Sequence, residues 1–120
     1  MTKGKLKPVL PSLREKKRYL VYEVVSDKKI KDFRNVNEAI IKASLDFQGI
    51  SGTAKSGILN LENKWNGTLQ KGILKTSHKR VDNVRASLNF VKEIEGSEAI
   101  VRSVGVSGIL KKAENKFMRN

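Results

Sequence analysis

Tyr19-Leu-Val-Tyr-Glu-Val-Val25 follows directly on a basic run, Arg14-Glu-Lys-Lys-Arg18. Read with a period of two, it sets Leu20, Tyr22 and Val24 on one side and Tyr19, Val21 and Val25, with Glu23, on the other. A strand that is apolar on both sides is covered on both sides, which makes it a central strand. Upstream, Lys3 to Ser12 holds both prolines, Pro8 and Pro11, and no helical period, so it reads as an extended stretch. Together with the basic run it forms an arm over residues 1–18, and the folded domain occupies 19–120.

Downstream, Ser26 to Arg34 is a polar connector. Asn35 is placed to cap a helix, with Glu38 to reciprocate. Val36, Ala39, Ile40, Ala43 and Phe47 recur at helical spacing, and Gly49 ends the run. A loop rich in Gly and Ser is expected from Gly49 to Gly57. Ile58 to Glu62 alternates as a strand, Asn66-Gly67 signals a hairpin turn, and Thr68 to Thr76 is the returning strand. Ser77 is placed to cap a second helix with Val81, Val84, Leu88 and Val91 inward, ended by Gly96. Glu98 to Val106 is a fourth strand, and Ile109 to Phe117 a short last helix. Strand, helix, strand, strand, helix, strand is the order of an α+β, ferredoxin-like βαββαβ sandwich. It has a four-stranded antiparallel sheet, two helices on one face and an added C-terminal helix.

The chain has 120 residues, 25 Lys plus Arg against 12 Asp plus Glu, and a net charge of +13. That length supports one domain. There is no cysteine, hence no disulfide framework, thiol nucleophile or Cys-based metal site. His78 is the single histidine. No apolar run approaches the ~20 residues needed to span a bilayer, and the basic start leads into charged residues rather than a signal-peptide core. A reducing, cytoplasmic setting is expected.

The charge is uneven. Residues 1–18 carry a net +6 and residues 111–120 a net +3, leaving +4 for the 92 residues between. Like charges massed this way repel, and a polyanion relieves them. Nucleic acid is the first candidate and an anionic membrane surface the second. The loop Gly49-Ile-Ser-Gly-Thr-Ala-Lys-Ser56 nearly matches a phosphate-binding loop, but Ala54 stands where glycine is required and no helix is expected after it. Lys55 there is either on a plain connector or touches a phosphate. Lys75-Thr-Ser-His-Lys-Arg80 sets cations at a helix start, where they oppose the helix dipole and a phosphate would relieve them. The carboxylates are scattered: Glu93 and Glu95 are expected on opposite sides of a helix end, and no pair is set for metal or acid–base catalysis. His78 lacks a neighbouring carboxylate or nucleophile and reads as an RNA-facing ring.

The RNA-recognition motif, which shares this fold class, needs stacking aromatics on its third strand. Gln70-Lys-Gly-Ile-Leu-Lys75 offers Ile73 and Leu74 instead, and Tyr19 and Tyr22 point to opposite faces. Trp65, beside the hairpin turn, is either partly buried or a partner contact. A base-reading platform is therefore excluded, and backbone phosphates of folded RNA become the expected target.

Leu10-Pro-Ser-Leu-Arg-Glu-Lys-Lys-Arg-Tyr19 and Arg102-Ser-Val-Gly-Val-Ser-Gly-Ile-Leu-Lys-Lys-Ala113 resemble the archaeal ribonuclease P protein component 2 family. His78-Lys-Arg80 with Val84-Arg-Ala-Ser-Leu88 resembles that family's second-helix region. Ile109 departs from the Thr more usual there. The resemblance implies a non-catalytic subunit of ribonuclease P. Such a subunit binds the catalytic domain of the ribonuclease P RNA and supports removal of the 5′ leader from precursor tRNA, with Mg2+ on the RNA and no cofactor on the protein. It also implies a TIM-barrel-like partner, component 3, with two such pairs joining as a heterotetramer and no membrane. RNA contacts are expected at Arg14, Lys16, Lys17, Arg18, Lys55, His78, Lys79, Arg80, Lys111 and Lys112. A generic structured-RNA or ribosome-associated module with no dedicated partner is the alternative.

Overall fold

A computed structural model describes residues 16–119. Arg14 and most of the expected arm lie outside the described residues. Strand β1 (Lys17–Ser26) runs through the centre of a five-stranded antiparallel sheet, ordered β2-β3-β1-β5-β4. Its neighbours are β3 (Lys71–Ser77) and β5 (Ser97–Ser107), while β2 (Leu59–Asn60) and β4 (Glu93–Ile94) are two-residue edges. The alternation in β1 has the expected consequence. Leu20, Tyr22 and Val24 enter one core with Val36 and Ile40 of helix α1 (Phe33–Ser56) and Val84 and Leu88 of α2 (Val81–Leu88). Val21, on the other face, packs with Ile73 and with Ala113 of α3 (Leu110–Phe117). The last helix thus covers part of the sheet face away from α1 and α2. A bulge in β5 at Val104 shifts its register on β1, so that Val21 faces Gly105 and Tyr22 faces Ser103.

Five strands replace the four expected. The extra one arises because the chain leaves α2 at Leu88, well before Gly96, and closes a hairpin at Glu95 and Gly96. Both residues have positive φ, +54° and +77°, as a two-residue type I′ turn requires. The Asn66-Gly67 turn is also wider than expected. Asn66 pairs with Lys71, and its Oδ1 accepts from the backbone N–H groups of Thr68 and Leu69, both at 3.0 Å. The asparagine side chain thereby closes its own turn, and the loop spans residues 67–70.

Gly49 does interrupt α1, with φ +76° and ψ −179° that glycine adopts without steric cost. The loop expected beyond it is instead further helix, ending at Ser56. Gly52 is there for close packing. A Cβ on it would lie 2.6 Å from Gln48 Cβ, too near for both atoms.

The helix also starts earlier than Asn35. Asp32 is the cap, its Oδ1 accepting from the N–H of Arg34 at 2.9 Å. Asn35 turns to Glu95, whose Oε2 accepts from Asn35 Nδ2 and from the N–H of Asp32, each at 3.0 Å. The β4–β5 hairpin therefore clasps the start of α1. Chiefly the Asn35 hydrogen bond, then that of Asp32, holds the Glu95 carboxyl below its ordinary range, and the Arg34 side chain does the same for Asp32. Depressed carboxyl values stabilise the folded state above the ordinary carboxylate range, and that contribution disappears as pH falls through them. Between about pH 6 and about pH 3, exchange of the Asp32 and Arg34 amides, corrected for intrinsic rates, should accelerate relative to Leu20. Constant relative protection across that window would refute the clasp.

Candidate nucleic-acid interface

Antiparallel pairing brings the start of β1 to the same end of the sheet as the ends of β3 and β5: Lys17 faces Ser77 and Tyr19 faces Ser107. Four segments that are distant in sequence meet there. The first is Lys16, Lys17 and Arg18 at the start of β1. The second is a 3-10 turn, His78–Arg80, which joins β3 to α2. His78 is tied to the first segment, its N–H donating to the Lys16 carbonyl at 2.9 Å and its Nδ1 lying 3.3 Å from the same oxygen. The third is the last turn of α1, which carries Lys55. Thr76 Oγ1 donates to the Ser56 carbonyl at 2.6 Å and fixes that turn to the end of β3. Lys17 Nζ reaches the same place, 3.6 Å from where a Cβ on Gly57 would sit. The fourth is the β5–α3 turn, leading to Lys111 and Lys112. Arg18 Nη1 passes 3.4 Å from the position of a Cβ on Gly108 and donates to the Lys17 carbonyl at 3.1 Å.

The fold therefore collects nine of the ten candidate residues at one end; Arg14 is the exception, lying outside the described residues. Lys16, Lys55, Lys79, Lys111 and Lys112 are exposed, whereas Lys17, Arg18, His78 and Arg80 are half-buried. Lys75, opposite Tyr19 in the β1–β3 register, adds a cation to the same end. Among the described residues, ion pairs join Arg34 with Asp32, Lys42 with Asp46, Lys64 with Glu114, Arg85 with Asp82 and Arg102 with Glu23. Carboxylates gather at the opposite end, where Asp27 and Asp32 follow β1 and Glu93, Glu95 and Glu98 ring the β4–β5 hairpin. Glu93 and Glu95 thus sit on this hairpin, correcting the expectation that they flank a helix end.

Several local readings change. Ser77 ends β3 and makes no cap; its Oγ is buried and has no partner among the described residues. The cations of residues 78–80 occupy a tight 3-10 turn rather than the first α-helical turn. Arg80 is partly structural, with Nη2 donating to Gln48 Oε1 at 3.0 Å. Lys71 is wholly structural. Its Nζ donates to the Phe117 carbonyl at 3.1 Å and the Arg119 carbonyl at 2.6 Å, a cation at the negative end of α3. Trp65 is half-buried, its ring centroid 6.3 Å from that of Tyr22. Tyr22 itself is fully buried and donates to Asn60 Oδ1 at 2.9 Å, so it offers no ring to a base. Its burial pushes the hydroxyl far above the ordinary tyrosine value. Among the described residues no three His, Asp or Glu side chains gather as a metal site, and no helix is long and apolar enough to cross a membrane. What the arrangement can do chemically is bind several phosphates at once.

Comparison with known proteins supplies the context for that surface. A model of the Rpp14/Pop5 family matches residues 18–118. Proteins called ribonuclease P protein component 2 are similar over almost the whole chain. That of Pyrococcus furiosus is 38% identical, covering 93% of this chain and 91% of its own. That of Pyrococcus horikoshii is 37% identical (95% and 92%), and that of Thermococcus gammatolerans 36% (90% and 88%). Among solved structures, a chain in a cryo-EM structure of yeast ribonuclease MRP aligns with a TM-score of 0.61 at 13% identity, covering 79% of this chain and 76% of that one. At that identity the likeness concerns the fold.

Proposed function

The chain belongs to the Rpp14/Pop5 family, and on that premise we propose that it is a protein subunit of ribonuclease P whose basic end binds backbone phosphates in the catalytic domain of the ribonuclease P RNA. The observation that carries this reading is the meeting of four basic segments at one end of the sheet. Residues 16–18, 55, 78–80 and 111–112 are far apart in sequence, and their convergence gives a surface that a folded polyanion fits and a single strand's bases do not. In this reading the protein neutralises phosphates and favours the active RNA fold. The RNA, with Mg2+ bound to it, removes the 5′ leader of precursor tRNA, and the protein holds no cofactor and supplies no nucleophile. The core is ferredoxin-like, with β2 reduced to two residues and β4 added at the other edge. The protein works in the cytoplasm.

The protein partner in this reading is the TIM-barrel-like component 3, with two such pairs forming a heterotetramer. Support comes from apolar surface outside the four basic segments. Phe47 and Phe90, 43% and 44% exposed, lie with ring centroids 5.1 Å apart, and Val25 faces Ile100 on the exposed part of the sheet.

Reconstitution tests the assignment. The ribonuclease P RNA, Mg2+ and component 3 are incubated with precursor tRNA, with and without this chain. Faster 5′-leader removal in its presence is the expected result. Equal rates in both mixtures would overturn the reading and leave a generic RNA-binding module as the better account.

A further inference from the structure

Gln48 is the last residue before the break in α1 at Gly49, and its carboxamide joins three pieces of the fold. Its Oε1 accepts from Arg80 Nη2 at 3.0 Å and from Ser56 Oγ at 3.2 Å, and its Nε2 donates to Ser44 Oγ at 2.8 Å. Ser44 Oγ lies a further 2.8 Å from Thr53 Oγ1. Ser44, Gly52 and Ser56 are buried. The backbone is shaped for the contact, since a Cβ on Gly52 would come within 3.0 Å of Arg80 Nη2 as well as striking Gln48. One uncharged side chain thus connects the first half of α1, the Lys55-bearing turn after the break, and the 3-10 turn that carries His78, Lys79 and Arg80.

The chemistry of the acceptor matters. A carboxylate at position 48 would hold the guanidinium and cancel its charge. A carboxamide oxygen holds one nitrogen of the fork and leaves the cation intact for a phosphate. A guanidinium already held in place loses less freedom when it binds.

The geometry assigns Gln48 as a positioning residue that presents Arg80, together with the Lys55 turn, to RNA phosphates. This deepens the RNA-binding reading and rests on it.

The test is the salt dependence of affinity for ribonuclease P RNA, measured with the full chain as parent, Gln48→Met, Arg80→Gln and the double variant. Each lost phosphate contact lowers the log–log slope by about 0.9, or roughly threefold in the loss of affinity between 50 and 200 mM salt. Gln48→Met is expected to lower the slope by about one contact, as Arg80→Gln does, and the double variant to match Arg80→Gln alone. A purely structural role would lower the melting temperature and leave the slope unchanged, and that outcome overturns the proposal, as would full additivity of the two substitutions. A flat salt response in the parent removes the RNA-binding reading and this inference with it, whereas a steep parent slope left unaltered by Gln48→Met removes this inference alone. If Gln48→Met does not fold, the parent decides by nuclear magnetic resonance. Slowed rotation of the Arg80 guanidinium in the RNA-free chain supports the assignment, and free rotation overturns it.

Discussion

Raising salt from 50 to 200 mM is expected to weaken binding of this chain to ribonuclease P RNA by about a thousandfold. The magnitude follows from counting. The expected contacts are Arg14, Lys16, Lys17, Arg18, Lys55, Lys79, Arg80, Lys111 and Lys112, and if about six of them neutralise phosphates, about six phosphates' worth of condensed counterions is released. Each contributes a slope of about −0.9 in log affinity against log salt. A fourfold rise in salt then costs roughly three powers of ten. Exposed protein–protein ion pairs, by contrast, contribute only about 0–1 kcal/mol each, so no ordinary surface contact gives so steep a response. Location sharpens the expectation. Lys79→Gln, in the basic end, should lower the slope by about one contact, whereas Arg34→Gln should leave it unchanged, because Arg34 is already paired with Asp32 at the acidic end. Filter binding or fluorescence titration at five or six salt concentrations measures both. A total loss below tenfold, or equal effects of the two substitutions, would contradict the interface.

The gathering of basic residues at one end is largely legible in the sequence. Once Tyr19–Val25 is a central strand flanked by antiparallel neighbours, the start of β1 and the ends of β3 and β5 must share one end. The basic residues at 16–18, 78–80 and 111–112 flank those points. Topology and charge counting together therefore reach the cluster. Side-chain bonding does not follow from either. Nothing in the run His78-Lys-Arg80 says that Arg80 will reach across to Gln48, thirty-two residues back. Lys71 looks like any other strand lysine until α3 folds back and places its terminal carbonyls within reach.

The fold shows the same division. Apolar alternation in β1 and the helical stripe from Val36 to Ala43 are strong local signals, and both elements form. Residues 50–56 lack such a signal. Ser51, Gly52, Thr53 and Ser56 are weak helix formers, and the segment is held by hydrogen bonds to Ser44 and Gln48 before the break and to Thr76 of β3. Strand β4 is too short for any period to register. Its turn is Glu95-Gly96, with a glutamate in the left-handed conformation that asparagine usually takes, so the hairpin carries no familiar mark. That glutamate earns its place through the hydrogen bonds it accepts at the start of α1.

Gly105→Ala is expected to lower stability by about 3 kcal/mol and the melting temperature by roughly 10 °C. Gly105 lies opposite Val21 in the β1–β5 pair, and the ring of Phe117 rests on it. A Cβ there would sit 2.2 Å from both Cε1 and Cζ of that ring, and 2.6 Å from Cδ1. These are rigid aromatic carbons, so the ring either leaves or stays under strain. In leaving, it exposes apolar surface shared with Val21, Ile73 and Ala113, and burial of a side chain of that size contributes about 1.5–3 kcal/mol. Keeping the ring in place costs a comparable amount in strain instead, and the chain settles at the lesser penalty. Helix α3 keeps other ties, the Lys64–Glu114 ion pair and the Lys71 cap, so it loosens rather than unfolds. Lys111 and Lys112, in the first turn of α3, then shift with the helix, and the salt slope should fall by one to two contacts as well. The double variant Gly105→Ala with Phe117→Ala isolates the cause. If the ring is what clashes, Phe117→Ala adds little once alanine is at 105, although alone it should cost about 3 kcal/mol. Thermal melting of the two single variants and the double variant gives the coupling. Additive losses would mean that Gly105 is required for some reason other than the seat it offers Phe117.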